Sequence, residues 1–534
     1  MHEPMKKKIR DSGGGEDGCN TFLMTGHVKG PLASLQVWAE GAARVGSRRL
    51  AAGITIAGSC LCLYALLLIL TSHYPTHWSA LNLCKTPIQS IANHRNKQQF
   101  THYRVGGASS ANRKIETNIS HIVFGIAASS SLWDLRKEYI KLWWKPEKMR
   151  GFVWLEKEVN YTRKDKEALP PQKVSADTSK FKYTNRMGLR SAIRISRVVS
   201  EAYRLGLPNV RWFVMGDDDT IFVTENLVKV LAKYDHRQFY YIGANSESHM
   251  QNLAFSYNMA YGGGGFAISY PLAKALHGMQ DGCLQRYTSL FGSDDRIHAC
   301  MAELGVPLTK EPGFHQYDIR GNAFGMMTAH PLAPAISLHH IDALDPMFPN
   351  KTRLGALQHL RESMEKDPTY FLQQAICYDK KRTWSISISW GYAVQIFRGI
   401  LTPRELEMPT RTFYNWNKRP EYTTFSFNSR AFSRNPCQKP YIFYMHNIST
   451  SFKQVDRVES TYVKDNTSST PCRWKVASPS SINLIQVFRH KDEGMWNKVA
   501  RRKCCHVVPD GSARSSQLQI EVRDCMAGEI AAAA

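Results

Sequence analysis

Three absences narrow what this 534-residue chain does. Acidic residues are short: 45 Asp and Glu stand against 69 Lys and Arg, a formal net charge of +24. Such a balance points to nucleic acid, an anionic membrane surface or acidic small molecules as partners. The second absence sets nucleic acid aside. There is no zinc-finger spacing, no basic heptad region and no aromatic RNA-binding signature. The third is the Cys-x-x-Cys pair. None occurs among Cys84, Cys283, Cys300, Cys377, Cys437, Cys472, Cys504, Cys505 and Cys525, so a structural zinc lacks its usual ligand spacing. Internal repeats are missing as well, and the length suits two or three domains.

Charge is missing altogether from Leu50 to Leu70, a 21-residue apolar run. About 20 such residues cross a bilayer as a helix. Arg44, Arg48 and Arg49 precede it, and no Lys or Arg follows until Lys85. The positive-inside rule then puts the amino terminus in the cytosol and the body across the membrane. The run is too long and too far from Met1 for a cleaved signal peptide. The expectation is a single-pass type II anchor, with a disordered cytosolic tail at 1–49 and a polar stem at 71–115. Asn-x-Ser/Thr acceptors at Asn118, Asn160, Asn350, Asn447 and Asn466 all follow the anchor. So do those nine cysteines, for which disulfides are expected in a secretory lumen. Nine is odd, so one thiol stays free or pairs with another chain, which allows a homo-oligomer.

From residue 116 to 345 strands and helices alternate. Ile122–Ile126 and Gly151–Leu155 read as strands. Ser131 reads as an N-cap with Asp134 at its capping-box position. Leu189, Ala192, Ile195, Val199 and Ala202 mark one helix face, and Gly206 and Pro208 stop it. Thr224 reads as the cap of a helix reaching Tyr234, and 239–243 as another strand. Alternation of this kind implies an α/β fold on a mostly parallel sheet. Residues 346–534 read as a smaller β-rich region. Trp384–Trp390 alternates strictly, predicting a half-buried strand with serines on its wet face.

The chemistry centres on Arg211-Trp212-Phe213-Val214-Met215-Gly216-Asp217-Asp218-Asp219. An apolar strand ends in three carboxylates. Ligands of open α/β sheets bind just beyond the carboxyl ends of the strands. Carboxylates there suit a hard divalent cation bridging a nucleotide diphosphate. Asp217 and Asp219, two apart, can face one ion. Asp294-Asp295 opens a second acidic site, with Ser293 as N-cap of a helix burying Ile297, Cys300 or Met301, and Leu304. Acids in a helix's first turn also serve its dipole alone. Gly262 to Gly265 permit close backbone approach, as a pocket wall or as a turn.

Strand-Asp-Asp-Asp resembles the donor-site motif of the Fringe-like β-1,3-glycosyltransferases. The resemblance extends to the Fringe-related group common in plants through Tyr241-Ile242-Gly243-Ala244-Asn245-Ser246-Glu247, Gly262–Ser269, Ser337-Leu338-His339-His340, Thr383-Trp384-Ser385 and Ser389-Trp390-Gly391-Tyr392. It covers roughly residues 118–530. It implies a nucleotide-sugar-binding, GT-A-like α/β fold, a Mn²⁺ cofactor, a UDP-sugar donor, a glycan or glycoprotein acceptor, inversion and residence in the Golgi. It also implies roles. Asp295 is the catalytic base, and Asp219 is a direct metal ligand. Asp217 holds a metal-bound water or the ribose, and Asp218 orients the loop. Gly263 and Gly264 line the sugar pocket. His339 matches a serine-apolar-histidine position that supplies the third metal ligand, with His340 and His315 as alternatives. Fringe proteins carry Phe-His-x-His before this region, whereas this chain has Phe314-His315-Gln316-Tyr317. The competing expectation is a non-catalytic glycan-binding protein on the same scaffold, which has no physical need of these acids.

Overall fold

The computed structural model describes residues 116–530, apart from 330–331, 419–420, 451–456, 466–471, 474 and 510–515. The tail, the 50–70 anchor, the stem, Cys84 and Asn466 lie outside the described residues. Among the described residues no helix is long and apolar enough to cross a membrane.

The first half contains β1 (Ile122–Ala127), β2 (Arg150–Leu155), β3 (Gln172–Val174), β4 (Trp212–Asp217), β5 (Ile221–Phe222), β6 (Tyr241–Gly243), β7 (Phe266–Ser269) and β8 (Leu308–Lys310). Seven of these form one sheet in the order β3-β2-β1-β4-β7-β6-β8. Only β7 runs against the others. The sheet is therefore mostly parallel. β1 and β4 are buried along almost their whole length, which explains their unbroken apolar sequence.

The antiparallel sense of β7 has a use. Met215 of β4 pairs with Phe266, the first residue of β7. The glycines before β7 therefore lie beside the carboxyl end of β4. The chain continues through β9 (Phe314–Gln316), β10 (Ile319–Gly321) and β11 (Ser337–His339), and a second, small sheet ordered β5-β11-β9 completes the corner. β5 pairs antiparallel with β11, and β11 pairs parallel with β9. Their register sets Leu338 against Ile221 and His339 against Gln316.

The second half adds β12 (Gln374–Asp379), β13 (Trp384–Ser389), β14 (Ala393–Arg398), β15 (Phe413–Asn415), β16 (Tyr441–Thr450), β17 (Arg457–Lys464), β18 (Leu484–His490), β19 (Cys504–Val507) and β20 (Gln517–Arg523). Eight form a sheet ordered β12-β13-β14-β16-β17-β18-β20-β19. Its two edge strands are joined by the Cys377–Cys505 disulfide, so the sheet curls back on itself. β15 instead pairs with β10 of the first half, and one apolar core runs from Ile122 to Val522 through both. Three more disulfides join Cys283 to Cys300, Cys437 to Cys472 and Cys504 to Cys525. Of the nine cysteines after residue 70, only Cys84 is left over.

Several local expectations change. Ser131 does not cap: the helix is Trp133–Ile140 with Leu132 at N-cap, and the Ser131 hydroxyl meets that of Ser129 at 2.8 Å. The face predicted from Leu189 to Ala202 is two short helices, Ser191–Ser196 and Val198–Arg204. Leu189 is exposed, while Arg194 and Arg197 are buried. Arg194 donates to the Ala128 and Trp154 carbonyls at 2.9 and 3.0 Å, satisfying acceptors where β1 and β2 end. The N-caps at 223 and 292 are Val223 and Gly292, one residue before Thr224 and Ser293. The serines of β13 are not on a wet face. Ser385, Ser387 and Ser389 are buried, because their face is covered too. Their hydroxyls are satisfied internally: Ser385 donates to the Gly399 carbonyl at 2.9 Å, Ser389 donates to the Met327 carbonyl at 2.7 Å, and Ser387 accepts from Gln374 at 2.9 Å.

Closing the sheet with a disulfide between its edges restricts the unfolded chain. A Cys377→Ala, Cys505→Ala double variant should lose about 2–5 kcal/mol of stability. Urea unfolding followed by fluorescence checks this, and an unchanged midpoint would refute it.

Candidate functional site

The three carboxylates leave β4 in three directions. The Asp217 backbone N–H donates to the Thr220 hydroxyl at 2.8 Å, which donates to the Gly263 carbonyl at 2.7 Å. This fastens the acidic turn to the glycine segment. Asp218 is buried. It accepts from the Ser129 N–H at 3.3 Å and from Arg136 at 2.9 Å. Asp218 thus anchors the loop to the end of β1. Asp219 is buried as well, facing Arg136 at 3.4 Å on one side and His339 Nε2 at 3.1 Å on the other.

Asp217, Asp219 and His339 form a cluster whose ligand atoms all lie within 4.8 Å of one another. Strand pairing explains the meeting. β5 follows the acids directly, and its antiparallel partner β11 ends on His339, which returns beside Asp219. The other two histidines are engaged elsewhere. His315 Nδ1 lies 2.7 Å from Glu247, and burial depresses its pKa to about 3. His340 takes a left-handed turn at φ 63° and binds Asp318 at 2.9 Å. Burial opposes a charge on His340, but the Asp318 carboxylate overcomes that and raises its pKa.

A hydrogen-bond chain fixes the His339 ring. Asp318 is held as a carboxylate despite burial, because His340, Ser246 and Gln316 all bind it. A carboxylate only accepts, so the Gln316 amide nitrogen must face it, at 3.0 Å. The Gln316 carbonyl oxygen is then turned to His339 Nδ1, at 2.9 Å. Nδ1 must carry the proton, and Nε2 presents a lone pair to the two carboxylates. Burial, followed by the neighbouring His340, lowers the His339 pKa and keeps the ring neutral. A lone pair aimed at carboxylates is repelled unless a cation, or a proton on one of the acids, lies between them. One oxygen of Asp219, Oδ2, is also buried without a hydrogen-bond partner. The donor set fits a divalent cation.

The acids differ in charge state. Burial raises Asp217 well above the ordinary carboxylate range, and Asp219 and Asp294 add to the rise. Burial opposes ionisation of Asp219 too, yet the cationic Arg136 and His340 hold its pKa below the usual value. Burial raises both Asp294 and Asp295. For Asp295 this outweighs the helix N-terminus, which alone would lower it. Asp294 is occupied by the Ser293 hydroxyl at 2.9 Å and the Gly262 backbone.

The remaining residues surround a cleft of two cavities. One, of about 340 Å³, is lined by Ser129, Arg136, Glu156, Arg194, Asp217 and Asp218. The other, of about 140 Å³, is lined by Asp217, Gly263, Asp294, Asp295, His339 and His340. Asp217 borders both. Gly263 is required by packing: a Cβ there would overlap the His339 ring. Gly264 stands behind, its carbonyl accepting from Ser337, and does not line the smaller cavity. Trp143 and Trp144 are core residues against Phe124.

Three residues of this site carried no sequence motif. Arg136 binds Asp218, Asp219 and, at 3.0 Å, Asp342 just after the histidines. Gln316 and Asp318 make the hydrogen-bond chain to His339. Their spacing of two was the available signal, since it puts both on one side of an extended segment. Loss of the Gln316 amide in Gln316→Leu should weaken divalent-cation binding by roughly 10–100-fold. Calorimetric titration with Mn²⁺ checks this. Unchanged affinity would show that Gln316 does not set the His339 tautomer.

Comparison with known proteins agrees with this geometry. A family model described as Fringe-like matches residues 117–377, and one described as a protein of unknown function, DUF604, matches residues 251–505. The chain is 30% identical to a Homo sapiens beta-1,3-glucosyltransferase over 105 residues, 20% of this chain and 20% of that protein. The Mus musculus beta-1,3-glucosyltransferase is 30% identical over 107 residues, 20% of this chain and 21% of that protein. The match thus spans about a fifth of these relatives' length. Among solved structures, an active-site mutant of LgtC aligns at 12% identity and a TM-score of 0.29, covering 44% of this chain and 92% of that one. Residues 117–377 of this chain thus match the Fringe-like family model.

Proposed function

We propose that the chain is an inverting glycosyltransferase that moves a hexosyl unit from a UDP-sugar to a hydroxyl of a glycan or glycoprotein, with Mn²⁺ as cofactor. One observation carries this reading: Asp217 and His339, which cluster with the buried Asp219, line the same cavity as Asp294 and Asp295. The names of the human and mouse relatives support a β-1,3 linkage and make UDP-glucose the first donor to test. The larger cavity would take the nucleotide and the smaller one the sugar and the acceptor hydroxyl.

Asp217, Asp219 and His339 would hold the cation. Bound there, Mn²⁺ supplies charge neutralisation for the departing diphosphate. The protein's own residues do the rest. Arg136 and Thr220 keep the acidic turn in place. Gly263 lets His339 approach the backbone. Asp295 takes the proton from the acceptor hydroxyl onto a carboxylate oxygen as that hydroxyl attacks the anomeric carbon. Asp294 is spent on the Gly262 backbone and Ser293, which leaves Asp295 as the base. Its raised pKa makes it a stronger base than an exposed aspartate.

The proposed setting is the Golgi lumen, with residues 50–70 as a type II anchor. Four disulfides support an oxidising compartment. The acceptors Asn118, Asn160, Asn350 and Asn447 are all exposed, as glycosylation there requires. Cys84 is the thiol left for a link between copies. Membership of the plant group within the family belongs to this proposal as well.

The full chain in detergent should release UDP from a UDP-sugar with Mn²⁺ and stop with EDTA. Asp219→Ala should abolish turnover, and Asp295→Asn should lower kcat by roughly 10²–10⁴-fold. Turnover unchanged in both variants would sink the assignment. Glycan binding that needs neither UDP nor metal would favour the glycan-binding reading. The base acts ionised, so activity is present above its pKa and lost as pH falls through it. Because burial raises that pKa, the acid limb of kcat/KM should lie above the usual aspartate value near 3.9. A limb at or below that value would exclude Asp295 as the base.

A further inference from the structure

The smaller cavity beside Asp295 has an apolar side to which the reaction proposed above gives no role. Ile195, Phe255, Met259, Tyr261 and Phe291 make it up, and Phe255, Met259 and Tyr261 line this cavity without reaching the larger one. The Phe255 and Phe291 rings lie 5.7 Å apart at 46°, and Tyr261 meets Phe255 edge-on at 6.4 Å. Both phenylalanines are only half-buried, and neither joins an apolar core of the described residues. Their aromatic surface is not consumed by packing and borders the cavity.

Two sets of hydrogen bonds hold these rings in place. Phe291 is fixed through its backbone. Its carbonyl accepts from the Tyr183 hydroxyl at 3.0 Å, the Gly292 carbonyl accepts from Arg296 at 2.9 Å, and its N–H donates to the Asp295 carboxylate. One turn therefore sets both the ring and the proposed base. Phe255 is the C-cap of the short helix His249–Ala254, which the C-terminal half clamps. Asn252 donates to the Ser426 hydroxyl at 2.9 Å, and the Ser426 N–H donates to the Glu247 carbonyl at 2.7 Å. Charge on the cavity is one-sided. Asp217, Asp294 and Asp295 line it with no Lys or Arg, and the charge of His340 is answered by Asp318 at 2.9 Å.

A pyranose carries its hydroxyls at the edge of the ring and C–H groups on a face, and those C–H groups suit the negative face of an aromatic ring. A carboxylate on the same sugar would meet three acids and no Lys or Arg in the lining. The geometry points to a neutral pyranoside as the acceptor, its apolar face on Phe255 beside Phe291 and its attacking hydroxyl at Asp295. This rests on the transferase reading and adds to it the acceptor's chemical class and the residues that select it. It also gives the C-terminal half a part in acceptor choice, through its hold on the segment that carries Phe255.

Steady-state kinetics of the full chain in detergent, with UDP-glucose and Mn²⁺, test this. The acceptors are methyl β-glucoside, β-galactoside and β-mannoside, each against the matching methyl uronoside. At least one neutral glycoside should accept the sugar, with its uronoside at least about tenfold poorer in kcat/KM. Phe255→Leu keeps apolar bulk but removes the π face. It should raise the KM of that acceptor about 2–10-fold while the KM of UDP-glucose stays the same. Phe255→Tyr keeps the face and should restore the wild-type acceptor KM, a split between Leu and Tyr that a space-filling role would not produce. UDP release without acceptor reports the donor half alone. Where that release continues, transfer to no neutral glycoside, a uronoside equal to its neutral counterpart, or an unchanged acceptor KM in Phe255→Leu would each overturn this proposal by itself. No UDP release, with or without acceptor, would overturn the transferase reading and this proposal with it.

Discussion

Three carboxylates at the end of one strand repel one another, and burying them raises the cost. The site is arranged around the answer to that charge. Arg136 reaches in from the first helix and binds two of the three acids together with Asp342. Ser129 and Thr220 use neutral donors and acceptors to hold the turn. His339 closes the remaining side, but as a neutral ring whose lone pair adds to the repulsion. A positive ion among Asp217, Asp219 and His339 would balance the arrangement, as would a proton on Asp217. The cluster that sets this tension is thus also the candidate cation site.

The C-terminal half contributes to that site without touching the acids. Trp416 stacks on His340 with ring centroids 4.5 Å apart, and the Arg320 guanidinium lies 3.9 Å from the Trp416 ring centroid. His340 in turn lies 3.9 Å from the His339 ring and binds Asp318, the acid that orients Gln316. β15, which leads into Trp416, is paired to β10 of the first half. The strands between 346 and 530 therefore buttress the histidines from behind. This explains why a single apolar core crosses the boundary at 345, and why the DUF604 match also straddles it.

What could be read from sequence follows from how local each signal is. β1, β2 and β4 were legible because a strand buried on both faces must be apolar throughout. The acids after Gly216 were legible because only a strand end explains charges there. The β13 serines misled because alternation reports chemistry, not solvent. A hydroxyl that finds a carbonyl is as well satisfied in the core as in water. The helix face from Leu189 to Ala202 failed for a related reason, since buried Arg194 caps strand ends and buried Arg197 pairs with Asp281 and Glu201, filling space that the pattern assigned to solvent. The choice among three histidines needed strand register. Nothing near His339 in sequence says that β11 lies between β5 and β9. Arg136 and Asp318 were hidden for the same reason, as their partners are far away along the chain.

Asp219 and Asp295 differ in environment, while Asp217 shares the raised pKa of Asp295. Asp219 is buried but held ionised by the cationic Arg136 and His340, which suits a group that must keep its charge to hold a cation. Asp295 is partly buried with no close cation locked onto it, and its pKa rises. Such a group can accept a proton and release it again. Paired acids whose surroundings drive their pKa values apart mark a division between a charge holder and a proton carrier. Asp294 separates them. Fixed to Gly262 and Ser293, it sets the helix start against the glycine turn. The same turn seats His339, so Asp295, the base of the proposed reaction, and the candidate cation cluster are held in register by one backbone segment.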